Sequence, residues 1–136
     1  MLTKNLETTN NSKHFLKCHL IFVCKYRKKL FLNQKLKDDM KQIIYDISKQ
    51  SNFSIEEMEA DEDHLHLLIR YIPRLSIASI VNRLKAMSTN RIWKVYSTFL
   101  KKHFWKEQTF WTDGYFVSSI GYASQETIEK YIQEQG

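Results

Sequence analysis

Residues 61–73 read DEDHLHLLIRYIP, and they organise everything around them. The acidic triplet Asp61-Glu62-Asp63 reads as a turn, residues 64–72 as a strand, and Pro73 blocks the strand from continuing because it has no N–H to donate. Side chains alternate along a strand, so His64 and His66 share one face while Leu65, Leu67 and Ile69 point to the other. The leucines belong to a core, and the imidazoles to the face opposite it.

Toward the N-terminus, Phe53, Ile55 and Glu57 alternate with Ser54, Glu56 and Met58, which predicts a second strand just before the acidic turn. Before it, Leu36, Met40, Ile43, Ile44 and Ile47 recur at helical spacing over residues 34–50, with Asn33 placed to cap the helix. Residues 14–26 (HFLKCHLIFVCKY) predict the first strand, its even positions His14, Leu16, Cys18, Leu20, Phe22 and Cys24 sharing a face. Residues 1–12 read as a polar, flexible arm. Toward the C-terminus, Ile77, Ile80, Val81 and Leu84 trace a second helix, extended or broken before Ile92, Val95, Tyr96 and Phe99. An irregular basic and aromatic stretch follows to Asp113, then a strand over 115–122 and a last helix over 125–135, capped by Ser124.

The order β-α-β-β-α-β-α predicts an α+β, ferredoxin-like βαββαβ fold: an antiparallel sheet with two helices on one face and an extra C-terminal helix carrying Tyr131. The sheet's other face is expected to be free for a ligand. The 136 residues suit one domain, with no linker, repeat, apolar span or signal-peptide core, so a cytoplasmic protein without membrane attachment is expected. Cys18 and Cys24 sit too far apart on one extended segment to form a disulfide. A formal net charge of +6, with 13% aromatic residues, favours a polyanionic partner.

A His-x-His pair on an exposed sheet face is half of a divalent metal site, since neutral imidazole nitrogens are ready-made ligands; by itself, with a third ligand missing, it reads first as two exposed strand histidines with no metal. Tyr131 and Gln135, four apart, share one face of the last helix, where a nucleophile and a metal ligand could sit together. The same residues also fit a packing stripe of Ile128, Tyr131 and Ile132 ending in a frayed Gln135. Lys25, Arg27, Lys28 and Lys29 after the first strand, and Arg83, Lys85, Arg91, Lys94, Lys101, Lys102 and Lys106 in and beyond the second helix, interleave with Tyr26, Trp93, Tyr96, Phe104 and Trp105 as a candidate phosphate-and-stacking surface. Trp105, Phe110 and Trp111 also suit a core, Trp111 above all, and Asp61 and Asp63 read as turn residues rather than extra ligands.

Asp63-His64-Leu65-His66, Trp111-Thr112-Asp113-Gly114-Tyr115-Phe116-Val117, Gly121 and Tyr131-Ile132-Gln133-Glu134-Gln135, with the run from His19 to Lys29, together resemble the single-tyrosine HUH transposases of small bacterial insertion sequences. The resemblance runs from about residue 14 to about residue 135. It implies that His64, His66 and Gln135 hold Mg²⁺ or Mn²⁺ and that Tyr131 attacks DNA to form a 5′-phosphotyrosyl intermediate. It further implies single-stranded DNA with hairpins near the element ends as substrate. A homodimer is implied too, in which the tyrosine helix of one subunit can complete the metal site of the other. A domesticated HUH nickase and a non-catalytic module that binds single-stranded nucleic acid are the competing readings.

Overall fold

The computed structural model describes residues 15–119 and 125–135. Strand β1 (Leu16–Val23) leads through two short 3-10 turns, Lys25–Arg27 and Leu30–Leu32, into helix α1 (Gln34–Lys49). Strands β2 (Phe53–Ala60) and β3 (His64–Tyr71) follow, then the long helix α2 (Ile77–Lys101), strand β4 (Phe116–Ser119) and helix α3 (Gln125–Glu134). The sheet order is β2-β3-β1-β4 with every neighbouring pair antiparallel, so β3 lies between the two strands that α1 connects. This is the expected ferredoxin-like arrangement. Among the described residues no helix is long and apolar enough to cross a membrane.

Local chemistry explains the element boundaries. Asn33 Oδ1 accepts the Leu36 N–H at 3.0 Å and Ser76 Oγ accepts the Ser79 N–H at 3.0 Å, so each of the two large helices starts on a side-chain cap. The second helix does not break before Ile92; it runs on to Lys101 with a local distortion at Tyr96 (φ −117°, ψ 26°). Strand β1 stops at Val23, short of the expected Tyr26, because Tyr26 (φ 59°) and Arg27 (φ 52°) turn into the left-handed region. Side chains there cost roughly 1–2 kcal/mol each, and surrounding bonds hold the turn: Cys24 N–H donates to Asp63 O and Lys25 N–H to Phe110 O, both at 2.8 Å.

The main core lies between the sheet and the layer of α1 and α2. Cys18, Leu20 and Phe22 of β1 and Leu65, Leu67 and Ile69 of β3 meet Leu36, Met40, Ile44 and Ile47 of α1 and Ile80, Val81, Leu84 and Ile92 of α2. Each such aliphatic side chain contributes roughly 1.5–3 kcal/mol on burial. The segment after α2 folds into this core through Phe104, Phe110 and Trp111. The Trp111 indole N–H donates to Ser88 Oγ at 3.0 Å and that of Trp93 to Thr109 O at 2.9 Å, which satisfies both polar edges inside apolar surroundings.

The other face of the sheet, expected from the sequence to be free, is in fact partly covered. Ile21 and Val23 alternate with the core residues of β1 and are themselves completely buried, packed against Ile132 and the partly buried Tyr131 and Phe116. Strand β1 is thus covered on both faces, and α3 roofs part of the surface that β3's histidines share. His14, Gly121, Tyr122 and Ser124 lie outside the described residues, as do the side chain of Ile128 and the arm over 1–12.

Candidate active site

His64 and His66 project from β3 on the face turned away from α1 and α2, both partly buried, as the alternation of the strand requires. Each is held by one neighbour. His64 Nδ1 lies 3.0 Å from Asp63 Oδ1, and the other oxygen of that carboxylate accepts from Arg27 Nε at 3.3 Å. His66 Nε2 lies 2.9 Å from Nδ1 of His19, whose ring is tilted 49° to it with centroids 5.0 Å apart. His19 is the residue that sequence reasoning missed as part of the site. It occupies an odd position of β1, and antiparallel register with β3 sets it diagonally across from His66. Odd positions of the first strand were the signal, overlooked because its even positions form the core.

Desolvation by burial first, then the charge that His19 would carry, holds the His66 pKa below the ordinary histidine value, so the ring is neutral at neutral pH. Glu59 of β2 sits opposite His66 in the β2–β3 ladder and Glu57 opposite Leu68, which puts two carboxylates on the same face. Neutral imidazoles beside carboxylates are suitable donors for a divalent cation. Among the described residues no three His, Cys, Asp or Glu side chains group into a metal site. Among the described residues a further donor to the pair would be of another kind, and the side-chain amide of Gln135, in the turn directly after α3, has the right chemistry.

Tyr131 falls in α3 and reaches the same face from the β4 side. Its ring packs on Phe116 with centroids 5.6 Å apart, and its hydroxyl lies over Gly114, 3.6 Å from where a Cβ would stand. That hydroxyl is buried and without a hydrogen-bond partner among the described residues. Desolvation pushes its pKa up to about 12. Val23 links the two halves of the constellation: it pairs with His64 in the β1–β3 ladder and packs in the cluster that holds Tyr131.

These features sit on a fold shared with proteins that move DNA segments. The family model for "Transposase IS200 like" proteins matches residues 12–135. The chain belongs to the IS200-like transposase family. It is 29% identical over 119 residues to the transposases for insertion sequence element IS200 of Salmonella typhimurium and Salmonella typhi, covering 88% of this chain and 76% of each relative. A crystal structure of a candidate transposase from Deinococcus radiodurans R1 superposes with a TM-score of 0.84 at 27% identity, over 96% of this chain and 98% of the other. A REP-associated tyrosine transposase bound to a REP hairpin shares the fold at a TM-score of 0.54 and 11% identity, over 93% of this chain and 68% of the other. IS200-like membership makes this a DNA-processing enzyme.

Within this transposase the basic residues separate into groups. Lys25, Arg27, Lys28 and Lys29 follow β1 at the His64 end of the sheet; Lys25 pairs with Asp113 at 3.5 Å, Arg27 with Asp63, and Lys29 with Glu62 at 3.9 Å. Arg83 and Arg91 lie on α2, in the layer behind the sheet, and converge on the end of α1: Arg83 Nε donates to Ser51 Oγ at 2.6 Å and Arg91 Nη2 to Gln50 Oε1 at 3.0 Å. Lys85 is partly buried, and its ammonium donates to Thr112 O at 2.7 Å and Gly114 O at 2.6 Å, tying α2 to the loop beneath Tyr131. Desolvation lowers its pKa to about 8.

The aromatic surface needs correction. Trp93 and Phe104 are buried at 6% and 1% exposure and cannot stack on bases, because the segment after α2 folds back into the core. Trp105, also suited to a core, is instead 82% exposed. Tyr26 is exposed too, its hydroxyl donating to Glu107 Oε1 at 2.8 Å.

Proposed function

We propose that this transposase cuts and rejoins single-stranded DNA at insertion-sequence ends through a covalent bond to Tyr131, with His64, His66 and Gln135 holding Mg²⁺ or Mn²⁺. The observation that supports it is the meeting of residues distant in sequence: Tyr131 and the histidine pair come to one face of one sheet, both beside Val23. A binding module would need neither a phenol nor an imidazole pair at that place.

The phenol oxygen of Tyr131 attacks the scissile phosphorus. The phenol gives up its proton as an O–P bond forms to the tyrosine, the bond from phosphorus to the 3′ oxygen breaks, and the departing oxygen takes up a proton in exchange, which leaves a free 3′-OH opposite a 5′-phosphotyrosyl link. Attack by a different 3′-OH reverses these changes, restores the phenol and joins the new strand without ATP. A bound divalent cation supplies neutralisation of the charge that grows on the phosphate oxygens. In the docked seat over Gly114 the phenol is held neutral, so Tyr131 has to gain a cationic neighbour or shift before it reacts. Lys25, Lys28 and Lys29 supply positive charge for the DNA backbone at the His64 end of the sheet.

The natural substrate on this reading is single-stranded DNA with hairpins near the element ends, and the working form is a homodimer in which α3 of one subunit completes the site of the other. Labelled single strands carrying candidate element ends, incubated with and without Mg²⁺, test the core of it. The expected result is metal-dependent cleavage, a covalent protein–DNA species and rejoined product, all absent in Tyr131→Phe. Tight binding of the strands with no covalent species in the wild-type protein would reduce this chain to a binding module.

A further inference from the structure

If the histidines are ligands, His64 has to be kept in a form that can bind a cation. A neutral imidazole carries its proton on either ring nitrogen, and only the nitrogen without it offers a lone pair. Asp63 decides between them. An ionised carboxylate only accepts hydrogen bonds, so the 3.0 Å contact from Asp63 Oδ1 to His64 Nδ1 places the proton on Nδ1 and leaves the lone pair on Nε2.

The carboxylate is itself fixed. Asp63 is buried, its backbone carbonyl accepts from Cys24 N–H at 2.8 Å, and its second oxygen accepts from Arg27 Nε at 3.3 Å. Arg27 gets there by way of the left-handed backbone at Tyr26 and Arg27. Non-glycine residues adopt that conformation in pairs only where the surroundings over-determine it. The bonds from Arg27 N–H to Cys24 O, Lys25 N–H to Phe110 O and Tyr26 hydroxyl to Glu107 do so here. A strained turn thus delivers a guanidinium to a buried carboxylate, and the carboxylate orients an imidazole.

We propose that Arg27 and Asp63 are positioning residues that lock His64 in the Nδ1–H tautomer, so that Nε2 keeps the lone pair a divalent cation would take. The proposal rests on the metal-site reading above and adds two residues to it: Asp63 as the holder of a ligand and Arg27 as the clamp on that holder. Outer partners of this kind typically change metal affinity roughly ten- to a hundredfold when removed.

The full chain labelled with ¹⁵N in its histidines tests the lock directly. Long-range ¹H–¹⁵N spectra of the metal-free protein, taken at about pH 8 where an ordinary imidazole is neutral, report which nitrogen of each ring carries the proton. Wild-type His64 should show the Nδ1–H pattern. Asp63→Ala should shift His64 toward the Nε2–H form and weaken Mn²⁺ binding, measured by titration calorimetry, roughly ten- to a hundredfold. Arg27→Gln, which keeps the carboxylate, should move both readouts the same way by a smaller factor, and it carries the test if Asp63→Ala fails to fold. An Nε2–H tautomer in the wild type, or a folded variant that leaves both tautomer and Mn²⁺ affinity unchanged, overturns the proposal. A wild type that shows the Nδ1–H tautomer yet binds no Mn²⁺ overturns it through the metal reading beneath it, and the two failures are told apart because the tautomer is read without metal.

Discussion

Replacing the proposed nucleophile should make the docked protein more stable. Tyr131 Oη is buried without a hydrogen-bond partner among the described residues, while its ring packs on Phe116 and in the cluster of Ile21, Val23 and Ile132. Tyr131→Phe keeps the ring contacts and removes an unpaired hydroxyl whose desolvation costs about 1–3 kcal/mol when complete. Because the residue as a whole is only partly buried, the lower end applies: α3 should dock more tightly by about 1 kcal/mol, roughly a fivefold drop in its opening equilibrium. Native-state hydrogen exchange of α3 amides at neutral pH measures this directly.

The same seat has a pH signature. Burial raises the phenol pKa from 10.0 to about 12, so the folded state holds this proton more tightly than the unfolded chain. That contribution is fully present below pH ~10 and is lost as pH rises through about 12. Two units would be about 2.7 kcal/mol at most, and solvent screening of a half-buried group reduces this to about 1 kcal/mol. Thermal melts across this range should show the wild type losing stability relative to Tyr131→Phe. The ultraviolet difference titration between the two proteins isolates one phenol among the seven. A variant less stable than the wild type at neutral pH, or a difference titration centred on the ordinary tyrosine value, would refute the reasoning.

Two further outcomes are expected. Ser88→Ala should destabilise the fold by about 1–3 kcal/mol in urea titrations, since it strands the Trp111 indole N–H inside the core; a change under about 0.5 kcal/mol would mean that the indole finds another acceptor. Mixing Tyr131→Phe subunits with His64→Ala/His66→Ala subunits, each inactive alone and the latter within about 1 kcal/mol of wild-type stability, should restore cleavage. Formed heterodimers without activity would show that α3 works on its own sheet.

The histidine pair, the strand that carries it, the cap at Asn33 and the helix behind it were all legible because each depends on residues a few positions apart. Period-2 alternation sends His64 and His66 to one face whatever the strand pairs with, and Asn33 meets the Leu36 N–H within one turn. The boundary of β1 was less legible, since the left-handed turn at Tyr26 and Arg27 lacks the glycine that would announce it and is held by bonds to Asp63 and Phe110. Phe104 and Trp105 are adjacent aromatics with opposite fates, 1% and 82% exposed, and nothing in their spacing distinguishes them. Only the path of the segment after α2 does.

Sequence by itself determined the order of elements, the face on which the histidines stand and the helix in which Tyr131 falls, because hydrogen bonding and side-chain periodicity are local and repeat along the chain. Tertiary structure decided which neighbours those residues acquire: His19 against His66, Asp63 and Arg27 behind His64, α3 over Ile21 and Val23, and the Tyr131 phenol over Gly114. Those contacts depend on strand order and register, in which a shift of one residue would turn every side chain to the opposite face, and that choice is made by the packing of the whole core rather than by any segment of it.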